Sequence, residues 1–325
     1  MGTKTRWGIL GTGNIAGKFA DATRYVEDAE LAAVGSRSPE TAEAFGAKHG
    51  IPRRHASYED LVGDPEVDAI YEATPHNLHH ANTLLALEAG THVLCEKPLA
   101  VNAGQATEMI AAARRKGFFL MEAMWTRFLP AWVDIKARLD SGEFGALRSL
   151  QADFGIELAY DPKHRLFNPD LAGGALLDLG IYPLSLAFWL LGKPQATTSW
   201  VELAPTGVDQ RAAMTLTYGG GRFAQLNTAS DVWSMGEATI VTEKKVVRAH
   251  RLFLDARSYE VVDFDTTEIV RKPYENGFEF EVRHAGERIA AGQTESEVMS
   301  LDESLEIMGA MDALRAEWGV KYPFE

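Results

Sequence analysis

The sequence predicts an α/β protein of two domains. Residues 1–124 are predicted to form a doubly wound parallel sheet, and 125–325 an α+β domain with a large, mainly antiparallel open sheet. Three observations lead to this prediction. The length of 325 residues suits two domains better than one. Short apolar runs alternate regularly with helical segments in the first part, and after Trp125 short strands joined by turns replace them.

The composition is that of a globular protein and limits the partners it can have. Apolar residues make up 46% and charged residues 24%, and the formal net charge is −14. Such an excess of negative charge argues against nucleic acid or an anionic membrane as the main partner. The longest apolar run, Ile181–Leu191, is too short to span a bilayer. A single cysteine, Cys95, and the lack of a signal-peptide pattern predict a cytoplasmic protein.

A glycine-rich segment near the start of the chain predicts that the first domain is a dinucleotide-binding Rossmann domain. A strand predicted over 6–10 is followed by the sequence Gly11-Thr12-Gly13-Asn14-Ile15-Ala16 and then by a helix. Gly11 allows the tight turn, and Gly13 lets the backbone approach a pyrophosphate. The helix N-terminus supplies free N–H groups. We therefore expect residues 11–15 to bind the cofactor; an ordinary glycine turn is the alternative.

The residues after the second predicted strand, 31–35, indicate which dinucleotide is bound. An acidic residue there would hold the ribose 2′-hydroxyl of NAD. This chain instead has Ser36, Arg37 and Ser38, whose guanidinium and hydroxyl groups suit a 2′-phosphate. The prediction is NADP, with NAD possible; alternatively, Arg37 is a solvated loop residue.

Two further strand ends carry candidate cofactor residues. The strand predicted over 67–74 ends in Thr74-Pro75-His76-Asn77-Leu78-His79-His80, where Asn77 is expected to cap the next helix. No cysteine or suitably spaced carboxylate accompanies these histidines, so no metal site is predicted. His76 and His79 either line the cofactor crevice or are simply hydrogen-bonded. The strand predicted over 92–95 leads into Glu96-Lys97-Pro98, which places Lys97 at the carboxyl end of a strand, where ligands bind.

The second half contains a candidate acid–base group. A long helix predicted over about 171–191 carries Asp178 and Tyr182 four residues apart, on one face. A tyrosine can exchange a proton with substrate when a cation lowers its pKa, and Lys97 is the candidate cation. A purely structural Asp–Tyr pair is the alternative. Strands are predicted over 147–158, 212–218, 222–228, 238–242, 245–249, 259–264 and 268–271, and closing helices over 278–291 and 301–318.

Four motifs together resemble the Gfo/Idh/MocA oxidoreductase family: Gly11-x-Gly13-x-x-Ala16, Thr74-Pro75, Glu96-Lys97-Pro98 and Asp178-x-Gly180-x-Tyr182. Within that family, residues 121–130, 173–178 and 277–284 are most similar to dimeric dihydrodiol dehydrogenases and NADP-dependent D-xylose 1-dehydrogenases. The resemblance covers nearly the whole chain.

The resemblance implies an NADP-dependent enzyme that transfers a hydride between the nicotinamide and a neutral sugar hydroxyl, above all that of an aldose. Lys97 and Tyr182 match the catalytic pair, with Asp178 beside them, and Trp125 and Phe154 match aromatic walls of the substrate pocket. Core packing is the alternative for both aromatics. A homodimer or higher homo-oligomer through the C-terminal sheet is also implied. The same site could instead reduce an anhydro-sugar or dicarbonyl or oxidise a trans-dihydrodiol. A non-catalytic NADPH-binding regulator is a more distant alternative.

Overall fold

The structure of the protein is a computed structural model that describes residues 4–325. The chain divides into two compact units. One contains the residues up to Trp125 together with Asn276–Met308, and the other contains Thr126–Glu275 and Gly309–Glu325. The sequence placed a single boundary after residue 124, so the structure differs in the segment Asn276–Met308.

The first unit is built on a six-stranded parallel sheet with the order β3-β2-β1-β4-β5-β6. The strand order reverses between β1 and β4, and the carboxyl ends of strands at such a point bind dinucleotides. The predicted doubly wound parallel sheet is confirmed. In chain order the elements are β1 (Thr5–Leu10), α1 (Asn14–Ala22), β2 (Ala29–Gly35), α2 (Pro39–His49), β3 (Arg53–His55), α3 (Tyr58–Val62), β4 (Ala69–Glu72), α4 (His79–Glu88), β5 (His92–Glu96), α5 (Ala103–Lys116) and β6 (Leu120–Ala123).

The second unit is built on an eight-stranded sheet with the order β14-β13-β12-β11-β7-β10-β9-β8, in which only β7 and β10 pair in parallel. The predicted large, mainly antiparallel sheet is confirmed. The remaining elements are α6 (Pro130–Asp140), β7 (Leu147–Gly155), α7 (Ile181–Leu191), β8 (Ala196–Leu203), β9 (Asp209–Tyr218), β10 (Arg222–Ala229), β11 (Ala238–Thr242), β12 (Val246–Ala249), β13 (Ser258–Val262), β14 (Thr267–Arg271), α8 (Glu279–Ala290) and α9 (Leu301–Trp318).

Local signals explain several helix ends. The Ser38 side chain accepts a hydrogen bond from the N–H of Thr41 at the start of α2, where Pro39 is the first helical residue. Asn102 caps α5 in the same way, and Gly117 ends α5 at a φ of +72°. Asn77, by contrast, does not cap α4, because residues 76–78 form a 3₁₀ turn and α4 begins at His79 without a side-chain cap.

The long helix predicted over 171–191 is interrupted in the structure. A 3₁₀ turn over Pro169–Leu171 and a π-helical turn over Leu176–Gly180 precede α7. The interruption coincides with a buried carboxylate from β9, since Asp209 accepts a hydrogen bond from Leu176 N at 2.6 Å. A Cβ atom at Gly174 would lie 2.2 Å from Asp209 Oδ1, so the chain passes this carboxylate only with glycine there. The stretch Pro169–Leu191 is apolar enough to cross a membrane by composition, but 89% of its most apolar window is buried inside the protein.

Contacts within the first unit explain why Asn276–Met308 belongs to it. Asn276 Nδ2 donates to Lys18 O at 3.2 Å, and Arg283 Nη2 donates to Tyr25 O at 3.2 Å. Arg114 of α5 pairs with Asp302 of α9 at 2.8 Å. These bonds join residues more than 180 positions apart, so chain order alone could not reveal them.

Candidate active site

A groove of about 580 Å³ lies at the carboxyl ends of β1, β2 and β4. Its lining includes most of the cofactor residues predicted at the ends of these three strands. A doubly wound sheet binds its dinucleotide at this position. The lining residues are Gly11, Thr12, Gly13, Ser36, Arg37, Ser38, Thr41, Tyr58, Ala73, Thr74 and Pro75.

The glycines of this groove leave room for a pyrophosphate. Gly11 has a φ of +109°, and a Cβ atom there would lie 3.0 Å from Ala73 O. Gly13 precedes α1 without a side-chain cap, and no atom lies within 4 Å of the place where its Cβ would be. The first N–H groups of α1, at Asn14 and Ile15, have no intrahelical partner because they begin the helix. This arrangement fits a dinucleotide phosphate.

The loop after β2 forms the adenosine side of the groove. Ser36 Oγ lies 2.6 Å from Thr41 Oγ1, and Ser38 Oγ donates to Glu40 Oε2 at 2.6 Å. The exposed Arg37 guanidinium interacts with the Tyr58 phenol. Burial raises the pKa of Tyr58, and the positive charge of Arg37 offsets part of that rise. Sequence reasoning missed Tyr58 and Thr41 because their approach to this loop depends on how α2 and α3 pack beside it.

A buried carboxyl group supports the turn after β4. Glu72 Oε1 accepts hydrogen bonds from the backbone N–H and hydroxyl of Thr74 and from Asn82 Nδ2. Glu72 is fully buried, and this burial raises its pKa to about 8. The carboxyl group of Glu72 therefore stays protonated at neutral pH. It places no negative charge next to Thr74, which lines the groove. No pattern in the sequence pointed to this role of Glu72.

The two predicted histidines, His76 and His79, are buried and are not among the residues that line this groove. His79 is 1% exposed, with Nδ1 2.8 Å from Pro98 O and Nε2 3.0 Å from Thr74 O. Burial lowers its pKa to about 4, so at neutral pH the ring carries one N–H and donates to only one of these two carbonyls, which belong to the turns after β4 and β5. His76 is also buried, with its ring perpendicular to that of His79. For His79 these contacts support the hydrogen-bonded alternative, and a place in the cofactor crevice stays a prediction. Among residues 4–325, no group of three or more His, Cys, Asp or Glu side chains could hold a metal ion.

Two buried carboxylates hold the backbone around Lys97 in place by accepting hydrogen bonds. Glu96 accepts hydrogen bonds from the Tyr71 hydroxyl and from Lys97 N. Glu122 Oε1 accepts from Leu99 N at 2.9 Å, on the other side of Pro98. Lys97 thus follows β5 in a rigid turn at the carboxyl edge of the parallel sheet, as the sequence predicts.

The second unit brings three of the predicted substrate residues together. Asp178 lies in the π-helical turn and is 6% exposed, and Tyr182 begins the first turn of α7 and is 9% exposed. The Tyr182 ring packs edge-on against Phe154 of β7, with centroids 5.7 Å apart. Arg165, which sequence reasoning missed, donates from Nη2 to Asp178 Oδ2 at 2.9 Å. It lies in an irregular loop without a motif, so no sequence signal pointed to it.

Trp125 lies in the first unit and is 6% exposed. Its ring stacks on Phe278, with centroids 4.8 Å apart and planes 13° apart. This contact supports the core-packing alternative, so a role as a substrate wall stays a prediction.

Comparison with protein families matches both parts of the chain. Residues 5–124 match the Gfo/Idh/MocA oxidoreductase family with an NAD-binding Rossmann fold, and residues 132–248 match the Gfo/Idh/MocA C-terminal domain. The trans-1,2-dihydrobenzene-1,2-diol dehydrogenase of Xenopus tropicalis is 34% identical over 98% of this chain and 99% of its own. The enzyme of the same name from Macaca fascicularis is 37% identical over 98% of each chain.

Solved structures of two bacterial enzymes share the architecture. KijD10, a 3-ketoreductase from Actinomadura kijaniata solved with NADP and TDP-benzene, has a TM-score of 0.87 and 27% identity, covering 97% of this chain and 98% of its own. Aldose-aldose oxidoreductase from Caulobacter crescentus, complexed with glycerol, has a TM-score of 0.87 and 26% identity with the same coverage. KijD10 variants with one tyrosine changed to phenylalanine or one lysine to alanine were also solved with TDP-benzene and NADP.

Both family matches and the full-length relatives agree with the geometry of the dinucleotide groove. They confirm the fold, the enzyme class and the nicotinamide cofactor that the motifs imply. The chain belongs to the Gfo/Idh/MocA family and is an NAD(P)-dependent oxidoreductase that acts on CH–OH groups.

Proposed function

We propose that this protein is an NADP-dependent dehydrogenase that oxidises a neutral aldose at its anomeric hydroxyl. The observation that carries the proposal is the position of Tyr182, buried beside Phe154 and four residues after a carboxylate that an arginine neutralises. A tyrosine placed in this way can exchange a proton with a hydroxyl group, and the neutral Arg165–Asp178 pair suits an uncharged substrate.

In the proposed mechanism, Tyr182 takes the proton of the reacting hydroxyl as general base. Lys97 holds the phenol at a useful pKa, because a positive charge nearby favours phenolate. Asp178 orients the substrate by accepting a hydrogen bond from one of its hydroxyl groups. The groove lined by Gly11, Gly13 and Arg37 would hold the cofactor, which when bound would supply the acceptor for the substrate's hydride.

The proposed substrate contacts differ at one point from those the sequence favours. The sequence favours a pyranose that stacks on Trp125 and Phe154 and hydrogen-bonds to Asp178 and His79. Both ring nitrogens of His79 already face backbone carbonyls, so we remove His79 from the contact set. A phosphorylated sugar remains disfavoured, because the charge of Arg165 is balanced by Asp178.

The preference for NADP rests on the loop after β2. Ser36, Arg37 and Ser38 offer hydroxyl groups and one guanidinium at the place where an NAD enzyme would have a carboxylate. The N-terminus of α2 adds its positive dipole end beside them. Crystal structures of the similar 3-ketoreductase contain NADP, which supports the same choice here.

One observation favours a second substrate. Relatives 34–37% identical over nearly the full length are named trans-1,2-dihydrobenzene-1,2-diol dehydrogenases. The second candidate function is therefore oxidation of a trans-dihydrodiol by the same residues.

Absorbance at 340 nm tests these functions directly. The protein is mixed with NADP⁺ or NAD⁺ and with neutral aldoses such as D-xylose and D-glucose, a sugar phosphate, or a trans-dihydrodiol. We expect turnover of a neutral aldose, with a Michaelis constant near or above the top of the usual ~1 μM–1 mM range. Turnover of the sugar phosphate alone would contradict the proposal, and turnover of the diol alone would establish the second candidate. Cofactor binding without any turnover would favour a regulator.

We also propose that two copies associate through the open face of the eight-stranded sheet. Trp200 of β8 and Phe223 of β10 are 55% and 37% exposed. They project from the same face, because Trp200 pairs with Ala213 and Phe223 with Thr217, an even number of residues apart on β9. Exposed aromatics on a broad sheet suit a self-complementary interface.

We also propose a cytoplasmic location for the protein, since its one cysteine is a buried, free thiol.

A further inference from the structure

We propose that Arg165 determines substrate specificity by binding the oxygen on the carbon next to the reacting one, so that the site selects vicinal diols. The inference rests on the proposed function, in which Tyr182 is the general base.

The first support is the hydrogen bonding of the guanidinium. Arginine carries five N–H donors in a planar fork. Arg165 uses one nitrogen, Nη2, on Asp178 Oδ2 at 2.9 Å, and its other nitrogens make no hydrogen bond to any residue in 4–325. The side chain is 52% exposed, whereas that of Asp178 is 9% exposed. The remaining N–H donors of Arg165 thus lie next to the nearly buried carboxylate of Asp178.

The second support is the position of this pair relative to the proposed base. Asp178 precedes Tyr182 by four residues, about one turn of the helical segment. The Arg165 charge interacts with both Asp178 and Tyr182. When the reacting hydroxyl of a substrate reaches Tyr182, the carbon next to the reacting one therefore lies toward the Arg165–Asp178 pair.

The third support is that the backbone of Arg165 is held in place. Gly173 N donates to Asn168 O at 3.0 Å, and Gly174 N donates to Leu166 O at 2.9 Å. The Tyr322 hydroxyl donates to Gly173 O at 2.7 Å. A Cβ atom at Gly173 would lie 2.8 Å from Arg165 O, so the loop closes tightly on itself. The guanidinium is therefore presented from a fixed loop, as a specificity contact requires.

A hydroxyl group is both donor and acceptor, so it can donate to Asp178 and accept from Arg165 at once. A carbon without that hydroxyl offers no acceptor to the remaining N–H groups of Arg165, so the substrate displaces their water without replacing its hydrogen bonds. The pair carries no net charge, so a neutral diol fits it better than an acid or a phosphate. Aldoses and trans-1,2-dihydrodiols share this vicinal pair of oxygens, so one contact accounts for both candidate substrates.

The test compares D-glucose with 2-deoxy-D-glucose, which differ only in the hydroxyl next to the anomeric carbon. The parent enzyme should favour D-glucose roughly ten- to a hundredfold in kcat/KM, as a hydrogen bond to a charged group predicts. Arg165→Met should remove most of this ratio, mainly by raising KM for D-glucose. Lys163→Met, in the same loop and also exposed, is the matched control and should leave the ratio unchanged.

Arg165→Lys provides a second measurement, because it keeps the positive charge but lacks the planar fork. It should give an intermediate ratio, and it decides the question if Arg165→Met does not fold. An unchanged ratio in a folded Arg165 variant, or no discrimination by the parent enzyme, would overturn the inference and leave the proposed function intact. If the parent oxidises neither sugar, the aldose assignment fails, and the same ratio is measured with trans-cyclohexane-1,2-diol and cyclohexanol. No turnover of any of these substrates would overturn the inference together with the proposed function.

Discussion

Replacing Glu72 with glutamine should change how the stability of the protein depends on pH. Glu72 lies at the end of β4, fully buried, with a pKa that burial raises from 4.5 to about 8. Between these two values the folded protein keeps the proton and the unfolded chain releases it. Unfolding is therefore favoured as the pH rises from 4.5 to 8, and below 4.5 this penalty disappears.

The size of the effect follows from the two pKa values. Keeping the carboxyl protonated destabilises the folded state by about 1 kcal/mol at pH 5 and by about 4 kcal/mol at pH 8. Glutamine has nearly the same shape, can accept the bonds from Thr74 and Asn82, and does not titrate. The stability of the variant relative to the parent should thus rise by about 3 kcal/mol between pH 5 and pH 8.

Urea denaturation of the full-length protein at several pH values, followed by circular dichroism, measures this difference. Exposed Glu27 provides the matched control, and Glu27→Gln should show no such trend. A stability difference between Glu72→Gln and the parent that stays constant from pH 5 to pH 8 would contradict this prediction. It would mean that Glu72 is already ionised in the folded protein.

Three further predictions concern the catalytic, cofactor and subunit contacts. Tyr182→Phe should reduce turnover by roughly 10²–10⁴-fold with NADP⁺ binding nearly intact; near-normal turnover would exclude Tyr182 from the mechanism. Arg37→Ala should raise the Michaelis constant for NADP⁺ roughly ten- to a hundredfold and leave that for NAD⁺ almost unchanged, whereas equal losses would indicate a structural role. Trp200→Arg should weaken self-association by roughly thirtyfold or more in analytical ultracentrifugation, if Trp200 is an interface hot spot. A parent protein that sediments as a monomer would contradict the proposed interface.

Much of the fold could be predicted because its signals are local. The turn at Gly11 and Gly13, the cap at Ser38 and the hairpin at 219–221 each depend on residues within a few positions of one another. The alternation of strands and helices then leaves few arrangements for a parallel sheet. The carboxyl ends of those strands meet at one edge, so the groove residues followed from the strand assignments.

The candidate site was predicted less completely, because several of its features depend on contacts distant in sequence. The ring nitrogens of His79 face two backbone carbonyls, one of them 19 residues away, and this contact could not be read from the sequence. Arg165 reaches Asp178 from a loop that has no recognisable pattern. Tyr58 enters the dinucleotide groove only because α3 packs beside β2.

The two-part architecture, the dinucleotide fingerprint and the elements that carry Lys97 and Tyr182 could all be read from local sequence patterns. These follow from backbone preferences and from apolar periodicity, which act over a few residues. Three features depend on the folded chain: the break before α7 at Asp209, the raised pKa of Glu72 and the packing of Asn276–Met308 with the first unit. Each of these depends on which distant groups share a desolvated space, and burial of that kind is fixed only when the whole chain has folded.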